Sequence, residues 1–174
     1  MGSVIILSDS HGLTDELTTI FKRHKGEVDG FIHCGDSELP YDSPYMLPYQ
    51  KVKGNCDFDK HYEEELNFSM DDMKFYVTHG HLYNVKYELS TISYRAEEVG
   101  AHIACFGHSH MAGFEKINNI LFINPGSIRM PRGGIAGRTP TYVKLTWDER
   151  KNVEIEFLNL SGVKVKSFKE NLIS

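Results

Sequence analysis

The stretch SVIILSDSHGLTDELTTIFKRHKGEVDGFIHCGD, residues Ser3 to Asp36, decides the fold class. Ser3 to Ser8 is a short continuous apolar run, the pattern of a strand covered on both faces, and it stops at Asp9. From Thr14 to Lys25 the apolar residues Leu17, Ile20 and Phe21 fall at helical spacing, with Thr14 or Asp15 available as a cap and Gly26 as a stop. Phe31 to Cys34 is a second apolar run, and it ends in Gly35-Asp36. Strand, helix and strand at this spacing make a βαβ unit with a carboxylate at the carboxyl end of each strand.

Downstream the same punctuation recurs. Glu38 to Gln50 is broken by Pro40, Pro44 and Pro48 and reads as a loop or kinked short helix; Tyr41, Tyr45 and Tyr49 either pack down on the body or rim a site. Val52 leads into Gly54-Asn55-Cys56-Asp57. Glu64 to Ser69 and Lys74 to Thr78 form a hairpin around Asp71-Asp72, and its second strand ends at His79-Gly80-His81. Tyr87 to Val99 is helical, and His102 to Phe106 is a strand that delivers Gly107-His108-Ser109-His110. A hairpin from Phe114 to Ile123 ends at Asn124-Pro125-Gly126-Ser127, and another spans Thr141 to Leu158. The expected architecture is one α/β domain over residues 1–174 with a mixed sheet, a core of about 3–160 and a charged, marginal tail from Ser161.

Composition narrows the function. With 40% hydrophobic and 25% charged residues the chain should fold without help. A formal net charge of -5 provides no field to gather a nucleic-acid polymer or an anionic membrane surface. No apolar stretch approaches the roughly 18 residues of a spanning helix, and Val4 to Leu7 is too short for a signal core. Cys34, Cys56 and Cys105 do not make a disulfide framework and read as reduced thiols, so a cytoplasmic protein is expected.

In an open α/β sheet, ligands bind outside the carboxyl ends of the strands, so the polar groups that end the strands should converge on one place. Aspartate oxygens, an asparagine carbonyl and neutral imidazoles suit Mn²⁺, Fe²⁺, Ni²⁺ or Zn²⁺, while Mg²⁺ prefers more oxygen. Asp9, His11, Asp36, Asn55, His79, His108 and His110 exceed what one ion needs, whereas two ions sharing a carboxylate would use them all. Two adjacent ions are the arrangement that clamps attacking and leaving oxygens in displacement at phosphorus.

The ordered series D-x-H, G-D, G-N-x-D, H-G-H and G-H-x-H, from Asp9 to His110, resembles the calcineurin-like metallophosphoesterase superfamily. Asn124 to Ser127 resembles a segment of its small bacterial and archaeal phosphodiesterase branch, whose fold the retromer metallophosphoesterase-like subunit shares. The resemblance implies a four-layer α/β/β/α sandwich of two mixed β-sheets flanked by helices. It places Asp9, His11, Asp36 and His110 on one ion and Asp36, Asn55, His79 and His108 on the other, with Mn²⁺ the first expectation and Ni, Fe, Zn or Mg the alternatives. It further implies that a hydroxide bridging the ions attacks phosphorus in line, with Asp36, Asn55 and His108 as catalytic residues and Asn55 orienting the phosphoryl oxygens.

Cys56 departs from the pattern, because many members of the family carry a histidine there that assists the leaving group, and a neutral thiol is a poor substitute. That leaves the role of Asp57 open, and His81 and His33 stand as unassigned imidazoles able to supply a proton or to orient ligands. Arg129 and Arg132, with Arg138 beyond, gather cations after the Asn124 to Ser127 turn, and Arg132 is the expected substrate contact. The reading is therefore a phosphodiesterase for a small phosphodiester or nucleotide, with homo-oligomerisation left open. A non-catalytic protein-binding scaffold of the same fold and a phosphomonoesterase are the alternatives.

Overall fold

The computed structural model describes residues 1–173. Its elements are β1 (Gly2–Leu7), α1 (Asp15–His24), β2 (Gly30–His33), β3 (Gln50–Lys51), β4 (Glu65–Met70), β5 (Met73–Thr78), α2 (Ser90–Glu98), β6 (Ile103–Cys105), β7 (Gly113–Ile117), β8 (Ile120–Asn124), β9 (Thr141–Trp147), β10 (Asn152–Asn159) and β11 (Lys164–Asn171). They form a six-stranded sheet in the order β11-β10-β9-β1-β2-β3 and a five-stranded sheet in the order β4-β5-β6-β8-β7. Both are mixed: β1, β2 and β3 run parallel, as do β5, β6 and β8, and the remaining pairs are antiparallel.

The alternation of side chains along each strand builds the layers. Val4, Ile6 and Ile32 from one sheet meet Phe75, Val77, Ile103, Cys105, Leu121 and Ile123 from the other in the central core. The intervening residues Ile5, Leu7 and Phe31 face Leu17 and Ile20 of α1. On the far side, Tyr76, Ala104 and Phe122 face Ile92 and Ala96 of α2. The result is the four-layer α/β/β/α sandwich, and both faces of β1 are covered, which explains its unbroken apolar run.

Three local expectations change. Thr14 occupies the N-cap of α1 without a side-chain hydrogen bond. The second helix starts at Ser90 and not at Tyr87, because the Glu88 carboxylate accepts the backbone N–H groups of Ser90 and Thr91 and acts as its cap. The residues expected to form a marginal tail include β11, which pairs with β10 along Asn152–Leu158 and places Phe168 against Phe114 and Phe157. Alternation within the charged segment is enough to bury one face; Ser174 lies outside the described residues. In the proline-rich loop Tyr49 packs inward, its hydroxyl donating to the Leu17 carbonyl, while Tyr41 and Tyr45 are partly exposed. Among the described residues no helix is long and apolar enough to cross a membrane.

Candidate metal centre

Strand ends deliver the polar residues, and the backbone there takes an uncommon form. Asp9, His11, Asp36, His108 and His110 all have positive φ, between 41° and 70°. Left-handed backbone at a residue other than glycine costs on the order of 1 kcal/mol or more, and clusters of it mark sites where side-chain direction matters. In the 107–110 turn the histidines themselves adopt the left-handed conformation, and Gly107 serves close approach. A Cβ on Gly107 would lie 2.1 Å from Ser8 Oγ and 2.5 Å from Asp9 Oδ2, and one on Gly54 would lie 2.0 Å from Asp36 Oδ1.

Each carboxylate is held through one oxygen and leaves the other bare. Asp9 Oδ2 accepts the Ser8 hydroxyl at 2.6 Å and the His108 N–H at 3.1 Å, whereas its fully buried Oδ1 has no hydrogen-bond partner. Asp36 Oδ1 accepts the Cys56 N–H at 2.8 Å, and Oδ2 faces His79 Nε2 at 3.2 Å. Three imidazoles complete the arrangement. His79 Nδ1 donates to the Cys34 carbonyl at 2.7 Å, His110 Nδ1 to the Met130 carbonyl at 2.8 Å, and His11 Nδ1 to the Glu38 carboxylate at 2.8 Å. With Nδ1 carrying the proton, the neutral ring offers a bare Nε2. Those Nε2 atoms approach the bare oxygens: His110 lies 3.1 Å and His11 3.8 Å from Asp9 Oδ1, and the two rings bring their Nε2 atoms to 3.3 Å.

Lone pairs facing lone pairs in a buried site repel unless a positive charge lies among them. His79 Nε2 also lacks a hydrogen-bond partner. The side-chain atoms fall into overlapping sets within 4.8 Å of one another: Asp9, His11 and His110; Asp9, Asp36 and His79; His11, Asp36 and Cys56. Mixed nitrogen and oxygen donors of this kind fit a divalent cation of intermediate softness. Burial opposes charge on these groups, but the imidazoles hold the carboxyls of Asp9 and Asp36 below the usual range and those carboxylates raise the His79 imidazole, so the positive charge the centre calls for is either a cation or a proton on His79 Nε2.

Two expected ligands stand at the margin. His108 lies outside those sets; its ring packs against His79 and His81 at centroid distances of 5.2 and 6.2 Å, and burial with the nearby His79 lowers its pKa to about 4. Asn55 is exposed, and its amide donates to Cys56 Sγ. Burial and the adjacent Asp36 push the Cys56 thiol up to about 11, so it stays neutral. His33 is fully buried: Gly35 N–H donates to its Nδ1, so Nε2 donates to Ser10 Oγ, and burial lowers its pKa to about 3. It ties together the turns that carry Asp9 and Asp36, through Ser10 and Gly35.

Further residues brace the site, and Asp57 and Glu38 among them had no role assigned from the sequence. Asp57 accepts the N–H groups of Asp36, Gly54 and Glu38 at 2.7–2.8 Å, clamping the loop that presents Asp36. Glu38 orients His11, and an acid two residues beyond Asp36 was its only sequence signal. Ser127 donates to the Asp9 carbonyl, and Asn124 donates to Gly107 and Ser109, so the Asn124 to Ser127 turn braces both motifs. Arg129 donates to the His11 carbonyl. Arg132 is exposed, and its backbone N–H donates to the His110 carbonyl, which puts it beside the centre.

Known proteins resemble this chain in sequence and fold. A probable metallophosphoesterase of Bacillus subtilis is 48% identical over 170 residues, covering 98% of each chain. A phosphodiesterase of Methanocaldococcus jannaschii is 27% identical over 143 residues, covering 70% of this chain and 81% of that one. Among solved structures, a conserved protein from Streptococcus pneumoniae described as a predicted phosphoesterase superposes with a TM-score of 0.90 at 35% identity, covering 97% of this chain and 98% of its own. Residues 3–150 match the calcineurin-like phosphoesterase superfamily domain. With its carboxylate and imidazole motifs, its two-sheet sandwich and these relatives, the chain belongs to the calcineurin-like phosphoesterase superfamily.

Proposed function

We propose that this protein is a binuclear metal-dependent phosphodiesterase that hydrolyses a small phosphodiester or nucleotide. The observation that carries this reading is the geometry of His11, His79 and His110, whose Nδ1 atoms are each committed to an oxygen while their Nε2 atoms face the bare oxygens of Asp9 and Asp36. Asp9, His11, Asp36 and His110 would hold one ion, and Asp36, Asn55, His79 and His108 the other, with Mn²⁺ preferred over Ni, Fe, Zn or Mg. Such ions, when bound, supply Lewis acidity that activates water and neutralises charge at phosphorus. In balance, water oxygen bonds to phosphorus, the ester P–O bond breaks, and a phosphomonoester and an alcohol leave, the alcohol taking a proton that came from water.

The chain's own groups decide the ester class. The Cys56 thiol, with its pKa pushed up to about 11 by burial and Asp36, is a weak acid toward the leaving alcohol, which favours a stable leaving group. Arg129 is committed to a backbone carbonyl, so Arg132 and Asn55 are the exposed groups available to the phosphoryl oxygens. One guanidinium matches the single charge of a diester better than the double charge of a monoester. A protein-binding scaffold has no use for buried carboxylates facing bare imidazole nitrogens, which argues against that alternative.

The test compares bis(p-nitrophenyl) phosphate with p-nitrophenyl phosphate in the presence of Mn²⁺. Faster diester cleavage is expected, with activity abolished in folded Asp36→Ala and His79→Ala variants. Faster monoester cleavage would replace the reading with phosphomonoesterase. Absence of both turnover and metal binding would favour the scaffold, and full activity in Asp36→Ala would overturn the assigned centre.

A further inference from the structure

A cleft of about 350 Å³ opens beside the metal centre, between the segments that follow its two histidine motifs. Residues 85–89, after His79-Gly80-His81, form one side, and residues after Gly107-His108-Ser109-His110 form the other. Its floor is apolar: Phe106 and Phe122 are buried there. Tyr87 and Met111, 83% and 47% exposed, stand at the lips.

The end nearest the metal centre is Ser109 with Asn124. Ser109 Oγ accepts the Asn124 amide at 2.9 Å and the Met111 N–H at 3.3 Å, so its lone pairs are used and its hydroxyl proton remains to be donated. Met111 also reaches the arginine-bearing loop, its Cε lying 3.7 Å from where a Gly133 Cβ would stand, and the neighbouring Arg132 is tied to His110. Ser109 and Asn124 thus join the cleft to the ligand turn, and Met111 joins it to the loop that carries Arg132.

The charges exclude a second anionic group. Glu88 and Glu115 flank the cleft against a single Lys86, so a further phosphate entering it would meet net negative charge. An uncharged planar ring meets aromatic edges and a thioether, contacts that suit it in any orientation.

We propose that this cleft is the subsite for an uncharged aromatic substituent of the phosphodiester, an aryl group or a nucleobase, and that Ser109 donates a hydrogen bond to it. The inference rests on the phosphodiesterase reading for the position of the phosphorus. Gly113 provides the handle: it lines the cleft, a Cβ there meets no atom within 4 Å, and its φ is ordinary. Gly113→Leu should therefore fill the cleft without disturbing the metal ligands.

The experiment measures binding of two monoanions, phenyl methylphosphonate and ethyl methylphosphonate, by titration calorimetry of the full chain with Mn²⁺ present. Wild type should bind the phenyl compound roughly 10-fold more tightly, in keeping with a single stacked ring. Gly113→Leu should erase that preference and leave ethyl methylphosphonate binding unchanged. Equal affinities in wild type, a preference that survives Gly113→Leu, equal weakening of both compounds, or no binding of either would overturn the subsite. Because the readout is binding, a protein that prefers the phenyl probe but cleaves no ester would refute the phosphodiesterase reading alone, and cleavage with no preference would refute the subsite alone.

Discussion

Glu38 shows how one side chain sets the chemistry of another. Its carboxylate holds His11 Nδ1 at 2.8 Å and so determines which nitrogen the ring offers to the centre. Glu38→Gln should weaken Mn²⁺ binding by about 10- to 100-fold, the usual effect of losing such a support, as read by titration calorimetry; unchanged affinity would deny it that role. His33 makes a different prediction. Its folded pKa of about 3, set by burial, lies below the ordinary value near 6.5, so protonation favours the unfolded chain. Its stabilisation is present above about pH 6.5 and is lost as pH falls toward 3. His33→Asn should flatten the pH dependence of urea midpoints between about pH 6 and about pH 4, by at most about 1.4 kcal/mol per unit. An unchanged slope would mean that His33 ionises freely. The ligand types could be named from the sequence because metal chemistry selects them, whereas Asp57 could not, since its three N–H partners become neighbours only when two loops meet.

At the scale of elements, strands were readable because burial on both faces leaves unbroken apolar runs, as in β1, β2 and β6. β11 was not, because it is an edge strand with one wet face, and the charges on that face mask the alternation. Phe168 carries its attachment, with its ring centroid 4.8 Å from that of Phe114 across the sandwich. Phe168→Ala should lower stability by about 2 kcal/mol, less than for a fully buried ring, while diester turnover below the melting temperature stays unchanged. Thermal unfolding measures it, and an unaffected Tm would return this segment to an accessory tail. Helix starts are decided just as locally: Glu88 caps α2 from two residues upstream, and helical periodicity extending back to Tyr87 does not reveal that.

For the whole molecule, the centre couples folding to metal. Two buried carboxylates and three imidazole nitrogens point inward from the ends of strands in both sheets, so a cation bound there ties the sheets together. Mn²⁺ at about 100 times its Kd should stabilise the folded chain by about 2.7 kcal/mol and raise Tm by several degrees, with EDTA reversing the gain. Differential scanning calorimetry tests this, and an identical Tm in Mn²⁺ and EDTA would argue against a bound ion. The sequence by itself determined the βαβ start, the order of the motifs and the donor types, because periodicity and side-chain chemistry are local properties of the chain. Only the tertiary structure decided which nitrogen each histidine presents, what Asp57 and Glu38 do, and that a cleft lies beside the ligand turn. Those depend on contacts between residues far apart in sequence, such as Ser127 with Asp9 across 118 positions, and no local pattern encodes such a meeting.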